Sequence, residues 1–139
     1  MHVREVMETC LYAEDLETTE RFYSGVLGLP AIGREQGRHV FFRCGRSVLL
    51  IFNPNKASEE GRDIPPHGAS GPGHIAFAVP EEELPLWRSR LEQGGVAVER
   101  DFEWPWGGRS IYFRDPAGNS LEVTTPRIWS ISEDEFFRP

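Results

Sequence analysis

The chain has 139 residues, with 39% hydrophobic and 27% charged side chains and a net charge of −7 at pH 7. This length predicts one domain, and the acidic balance argues against nucleic acid or an anionic membrane surface as partner. No apolar run approaches the ~18 residues of a membrane span, and "MHVREVMETC" lacks a signal-peptide core. We therefore expect a cytoplasmic protein, with Cys10 and Cys44 as thiols and a small molecule or a protein as partner.

The first part of the chain predicts one helix and four strands. "VMETCLYA" (Val6–Ala13) is typical of a strand, and Asp15 can cap the helix that follows, which we expect to stop at Gly28. Gly45-Arg46 indicates a hairpin between two strands rich in β-branched and aromatic residues. The predicted strands after the helix are a short one near residues 31–34, then Arg38–Cys44 and Ser47–Phe52.

After a polar segment rich in Pro and Gly, at residues 54–72, the order of elements begins again. "HIAFAV" from His74 predicts a strand, and a helix is expected to start near Leu84 and to end at Gly94-Gly95. The last three predicted strands are Val96–Phe102, Arg109–Phe113 and Ser120–Thr125.

The two halves also repeat at the level of residues. "GRHVFFRCG" from Gly37 aligns with "GRSIYFRDP" from Gly108, and "SVLL" from Ser47 aligns with "SLEV" from Ser120. The repeat predicts an α+β fold of two strand-helix-strand-strand-strand modules. Their predicted bounds are a module at 6–53, a linker at 54–72, a module at 73–125 and a C-terminal tail at 126–139.

Ligand-type side chains stand at repeat-related positions of these modules. Because side chains alternate along a strand, Glu8 shares a face with Cys10 and Tyr12, and His74 shares one with two small alanines. Glu122 lies on the last strand, and the Ser47–Ser120 alignment places Leu49 at its equivalent position. One imidazole and two carboxylates suit a divalent metal with open positions for substrate. A hydrogen-bonded structural His and exposed Glu side chains are the alternative.

Three segments, "LYAEDLETTERFYSGVLGLP", "GHIAFAV" and "YFRDPAGNSLEV", resemble the vicinal oxygen chelate superfamily. That group includes glyoxalase I, fosfomycin-resistance thiol transferases, extradiol dioxygenases and bleomycin-binding proteins. The resemblance implies two βαβββ modules, with curled mixed sheets around a cleft, paired in a homodimer. It also implies a divalent metal (Mn, Fe, Ni, Zn or Mg) bound by Glu8, His74 and Glu122, with Glu8 and Glu122 in catalytic roles.

The resemblance implies a metal-dependent enzyme that acts on a small oxygen-chelating substrate, of the lyase, isomerase or thiol-transferase type. Leu49 departs from the glyoxalase I pattern, which has a carboxylate there, and Glu8 departs from the dioxygenase pattern, which has a His. A metal-free binding protein of the bleomycin-resistance kind and an extradiol-type dioxygenase remain as alternatives.

"FEWPWGGRS" places further candidates between two strands of the second module. Trp104 and Trp106 could form an apolar lid, and Arg109 could bind an anionic substrate group. Packing of both tryptophans at a subunit interface is the alternative. Tyr112 could face the cleft as a proton donor, although a half-buried strand aromatic is the preferred interpretation. We expect His67, in the linker, to be an exposed loop residue.

Overall fold

The computed structural model describes all 139 residues, and these divide into two compact units, Met1–Gly73 and His74–Pro139. No helix combines the length and the apolar character that a membrane span requires.

The first unit is a four-stranded mixed sheet with one long helix. Its sheet has the order β1-β4-β3-β2, with β1 and β4 parallel and the other neighbours antiparallel. Its elements are β1 (Glu8–Tyr12), α1 (Leu16–Gly25), β2 (Ala31–Glu35), β3 (His39–Cys44), β4 (Ser47–Phe52) and the single-turn helix α2 (Pro54–Ala57).

The second unit repeats this arrangement, with the order β5-β8-β7-β6 and a parallel β5–β8 pair. Its elements are β5 (His74–Ala78), a 3-10 turn (Glu81–Glu83), α3 (Leu84–Gln93), β6 (Arg100–Glu103), β7 (Arg109–Arg114), β8 (Ser120–Thr124), a second 3-10 turn (Pro126–Trp129) and the short α4 (Glu133–Phe136). The α+β fold of two βαβββ modules is therefore confirmed.

The predicted start of α1 is confirmed by its cap. Asp15 Oδ1 accepts a hydrogen bond from the backbone N–H of Thr18 at 3.1 Å, which satisfies one of the free donors of the first turn. The helix ends at Gly25, one turn before the expected Gly28. The prediction for β6 is wrong at its start, because Val96 N–H still bonds to Leu91 O at the end of α3. Glu99 N–H is the first to bond to β7, at Tyr112 O, and the strand begins at Arg100.

Alternation divides each sheet into a helix-side face and an opposite face. Phe42 and Tyr23 pack at 5.3 Å between ring centroids beneath α1, and Ile111 and Leu121 are buried on the α3 side of the second sheet. The strand residues one position away therefore lie on the opposite face, where the candidate site is found.

Strand pairing corrects the predicted counterpart of Glu122. Cys10 pairs with Leu50 across β1 and β4, as Ala76 pairs with Glu122 across β5 and β8. Leu50 is therefore the counterpart, whereas Leu49 is buried on the helix side. The alignment of Ser47 with Ser120 was displaced by one residue, and a slip of one residue exchanges the two faces of a strand.

Candidate metal and substrate site in the second unit

Neighbouring parallel strands bring His74 and Glu122 together. The distance between His74 Nε2 and Glu122 Oε1 is 3.5 Å. The His74 side chain is 52% exposed, whereas the Glu122 side chain is only 6% exposed. The pair thus combines an accessible imidazole with a carboxylate that the sheet holds in place.

A backbone contact determines which ring nitrogen of His74 carries the hydrogen. Its Nδ1 lies 2.9 Å from the carbonyl oxygen of Ser120, the residue that faces it across β5 and β8. A carbonyl oxygen only accepts hydrogen bonds, so Nδ1 carries the hydrogen and donates it. In the neutral ring Nε2 then keeps its lone pair, which is the arrangement of a metal-binding histidine.

Glu122 is held by a hydroxyl group on the neighbouring strand β7. Ser110 Oγ lies 2.5 Å from Glu122 Oε2 and receives a hydrogen bond from Trp104 Nε1 at 2.8 Å. Because Ser110 is fully buried, water does not compete for these bonds. One carboxylate oxygen is engaged in the sheet, and the other faces His74.

A cavity of about 360 Å³ opens on the same face of this sheet. Its lining combines aromatic rings with polar groups: Glu99, Arg100, Phe102, Trp104, Tyr112 and Ser120. The guanidinium carbon of Arg100 lies 5.0 Å from the centre of the Phe102 ring, and no carboxylate lies within ion-pair distance of it. A cation over an aromatic ring, free of a protein anion, can bind an anionic group of a ligand.

Tyr112 faces Glu122 directly across β7 and β8. Burial raises the pKa of the Tyr112 phenol, and the negative charge of Glu122 raises it further. A hydrogen bond to Glu122 raises the pKa of the phenol as well, so Tyr112 stays protonated at neutral pH.

A family model described as the glyoxalase/bleomycin resistance protein/dioxygenase superfamily matches residues 2–123, most of the chain. The chain belongs to this superfamily. The match confirms the resemblance that the three sequence segments carried.

Named members of the superfamily are similar over most of their length. A metallothiol transferase FosB of Bacillus licheniformis is 40% identical over 83% of this chain and 71% of its own. A glutathione transferase FosA of Serratia marcescens is 31% identical over 81% and 74%. A structure described as lactoylglutathione lyase from Agrobacterium tumefaciens is 43% identical, covers 91% of this chain and 97% of its own, and has a TM-score of 0.89. These similarities confirm the predicted class, a metal-dependent glyoxalase-superfamily enzyme of the thiol-transferase or lyase type.

Two of the predicted substrate-binding residues, Arg109 and Trp106, do not line the cavity. Arg109 stands on the helix side of β7, where its Nε and Nη2 bond to Asp101 at 2.6 and 2.5 Å. Arg88 of α3 binds the same carboxylate at 2.6 Å, so Arg109 belongs to a structural ion-pair network. Trp106 is 63% exposed and donates its Nε1–H to Ile128 O at 2.9 Å, behind Trp104 rather than in the cavity wall.

Glu8, the third predicted ligand, belongs to the first unit, where it is an exposed residue at the start of β1. Its role therefore stays a prediction. Within neither unit do three or more His, Cys, Asp or Glu side chains lie close enough together to hold a metal ion. In the second unit, one imidazole nitrogen and one carboxylate oxygen are nevertheless a donor set that suits a divalent ion.

The first unit corrects the expectation for His67. Its Nδ1 lies 2.6 Å from Tyr12 OH, and its ring meets Phe52 edge to face at 4.6 Å between centroids, so it is not a free loop residue. Burial and the neighbouring Cys10 raise the pKa of Tyr12 to about 12. The phenol is therefore neutral and can donate to His67.

Sequence reasoning missed three residues of the site: Arg100, Phe102 and Ser110. Alternation along β7 contained a usable signal, because Ser110 and Tyr112 must share a face that excludes Arg109. Arg100 and Phe102 follow only from the pairing of Arg100 with Tyr112 and of Phe102 with Ser110, since β6 starts later than its sequence predicts.

Proposed function

We propose that this protein is a metal-dependent thiol transferase that acts on a small anionic substrate. The observation that carries the proposal is the lone pair of His74 Nε2 directed beside Glu122 Oε1, on the sheet face that holds the cavity. His74 and Glu122 would hold the metal, with Glu8 as a third ligand or, if displaced, as a general base. Mn²⁺, Fe²⁺, Ni²⁺, Zn²⁺ and Mg²⁺ all fit such a set. A divalent ion bound there supplies charge stabilisation for a substrate oxygen.

The side chains of the cavity suit a substrate with an anionic group and an apolar body. The free guanidinium of Arg100 would bind the anion, and the rings of Phe102 and Trp104 would contact the apolar part. The protonated phenol of Tyr112 would donate a hydrogen bond to a substrate oxygen.

Thiol transfer is favoured by the relatives and by the first unit. Two named relatives are a glutathione transferase and a metallothiol transferase. The position that corresponds to Glu122 in the first unit holds Leu50, so that position supplies no second carboxylate for proton transfer. The proposed chemistry is the attack of a thiolate on an electrophilic carbon of the bound substrate, with the leaving oxygen taking up a proton.

A lyase or isomerase acting on a glutathione adduct is the second candidate. The likeness to the structure described as lactoylglutathione lyase supports it. This reaction needs a base beside the substrate carbon, and Glu8 would be that base.

Two parallel assays separate the candidates. The protein is loaded with Mn²⁺ and mixed with glutathione or cysteine and fosfomycin, a small phosphonate epoxide, and the adduct is measured by mass spectrometry. In the second assay, the hemithioacetal of glutathione and methylglyoxal is followed for thioester formation. Thiol transfer predicts metal-dependent adduct in the first assay alone. Thioester in the second assay alone would instead support the lyase, and binding without turnover in both would support the bleomycin-type protein.

We also propose a homodimer. Large apolar side chains remain exposed on the chain, among them Met7, Leu86 and Trp129, and a second copy would cover such surface. Light scattering at micromolar concentration tests this assembly. A mass of 15.8 kDa, that of one chain, would contradict it.

A further inference from the structure

The metal-ligand candidate Glu122 is the end of a directed hydrogen-bond chain that starts at Trp104. Trp104 Nε1 has only a hydrogen to give, so Ser110 Oγ must accept it. Ser110 has one hydrogen of its own and two acceptors near it, Glu122 Oε2 at 2.5 Å and Thr124 Oγ1 at 3.0 Å. The carboxylate is nearer and charged, so it takes this hydrogen.

The competing acceptor is itself satisfied in another way. Thr124 Oγ1 donates its hydrogen to the carbonyl oxygen of Arg109 at 2.9 Å. The order of donation is therefore Trp104 to Ser110 to Glu122, and each bond polarises the next. Glu122 Oε2 is engaged, and Oε1 is the oxygen that lies toward His74 Nε2.

Packing and backbone bonds fix the first member of the chain. The indole of Trp104 meets Phe102 edge to face at 4.8 Å between centroids and lies 5.1 Å from the ring of Trp106. Its backbone N–H bonds to Gly108 O at 2.9 Å, and its carbonyl accepts from Gly107 N–H at 3.0 Å. The donor is thus pre-oriented before any metal binds.

We propose that Trp104, acting through Ser110, is a positioning residue that selects which oxygen of Glu122 is offered to the metal and so sets metal affinity. This inference rests on the proposed function, since it requires a metal at His74 and Glu122. It gives "EWPWGGRS" a role that the sequence alone did not indicate: the first tryptophan orients a metal ligand from the second coordination sphere.

A double-mutant cycle on the full-length protein tests the inference with Co²⁺ as the probe. Ser110→Ala is expected to weaken Co²⁺ binding about 10- to 100-fold, the usual effect of losing such a partner. Trp104→Phe keeps an aromatic ring but removes the donor, so it should weaken binding by a smaller factor. The double variant should bind like Ser110→Ala, because Trp104 acts only through that hydroxyl.

Trp106→Phe is the matched control, since it keeps an aromatic ring beside Trp104 but removes the indole N–H that bonds to Ile128 O. It should leave Co²⁺ affinity and the visible absorption spectrum of the Co²⁺-loaded protein unchanged, whereas Ser110→Ala should alter both. Melting temperatures of the metal-free variants show whether each protein is folded.

The outcomes separate this inference from the proposed function. If His74→Ala binds Co²⁺ as tightly as the unsubstituted protein, the metal site itself is wrong. If His74→Ala loses binding but Ser110→Ala and Trp104→Phe retain both affinity and spectrum, only the positioning role is overturned. Additive losses from Ser110→Ala and Trp104→Phe would also overturn it.

Discussion

His74 and Glu122 meet at 3.5 Å, Nε2 to Oε1, because β5 and β8 are neighbouring parallel strands. His74 pairs with Ser120, and Glu122 lies two residues further along β8 on the same face. The imidazole is accessible and its hydrogen is held on Nδ1 by Ser120, whereas the carboxylate is buried. Both features would be present before a metal arrives, which reduces the reorganisation that binding requires.

Removal of either side chain should lower metal affinity. We expect His74→Ala and Glu122→Gln each to weaken Mn²⁺ binding by more than about tenfold, because the remaining ligands bind divalent ions weakly. Isothermal titration of the full-length protein measures the effect. His2→Ala is the control, since His2 is exposed and lies outside any strand. The His2→Ala protein should bind Mn²⁺ with unchanged affinity. Equal affinity in the His74 and His2 variants would contradict the assignment.

Arg100 and Arg109 should separate substrate binding from stability. Arg100→Ala removes the free guanidinium of the cavity, so KM for an anionic substrate should rise about 10- to 100-fold, the equivalent of a lost charge-assisted bond of about 1.5–3 kcal/mol. Its melting temperature should change little. Arg109→Ala breaks the ion pair with Asp101 and should lower the melting temperature while leaving KM nearly constant. The reverse pattern would restore Arg109 as the substrate residue.

Asp101 should make stability depend on pH at the acid end. The hydrogen bonds from Arg109, and then those from Arg88, lower the pKa of Asp101 from 3.8 to about 2. A lowered pKa means that the stabilisation is complete above the unfolded value and is lost as pH falls from about 4 to 2. Denaturant unfolding across this window should show a steeper loss in the unsubstituted protein than in Asp101→Asn. Parallel curves for the two proteins would contradict the prediction.

Gly108 should be less replaceable than Gly61, although both have nearly the same left-handed φ, +91° and +92°. A Cβ at Gly108 would lie 2.6 Å from Ile128 Cγ2, whereas one at Gly61 would meet open space. We therefore expect Gly108→Ala to cost about 1–3 kcal/mol more stability than Gly61→Ala, the usual range for overpacking. Chemical denaturation of both variants measures the difference. Equal losses would show that backbone strain alone decides both positions.

Much of the fold was accessible from local patterns. Asp15 caps α1 as predicted, and the predicted β4, Ser47–Phe52, is confirmed at both ends. Such features depend on neighbours along the chain: a cap on the next three residues, and a strand on alternation and side-chain shape. The repeat also predicted two similar modules, since two similar sequence segments adopt similar structures.

The site was predicted only in part. The sequence predicted His74 and Glu122 as ligand-type residues on strands of the second module, and the structure brings them together. The sequence predicted Arg109 as the anion-binding residue, because it lies beside Trp104 and Trp106 in "FEWPWGGRS". On β7, however, its side chain takes the opposite face from Ser110 and Tyr112, and its charge is used by Asp101.

The sequence by itself determined the elements, the two-module repeat and the ligand-type residues, because these follow from periodicity, capping and side-chain chemistry within short segments. Tertiary structure alone decided which strands pair and in which register. Pairing of β7 with β8 made Ser110 a partner of Glu122, and pairing of β6 with β7 placed Arg100 beside Tyr112. A shift of one residue in either pairing would exchange the faces of a strand, and no pattern within a single segment specifies the register.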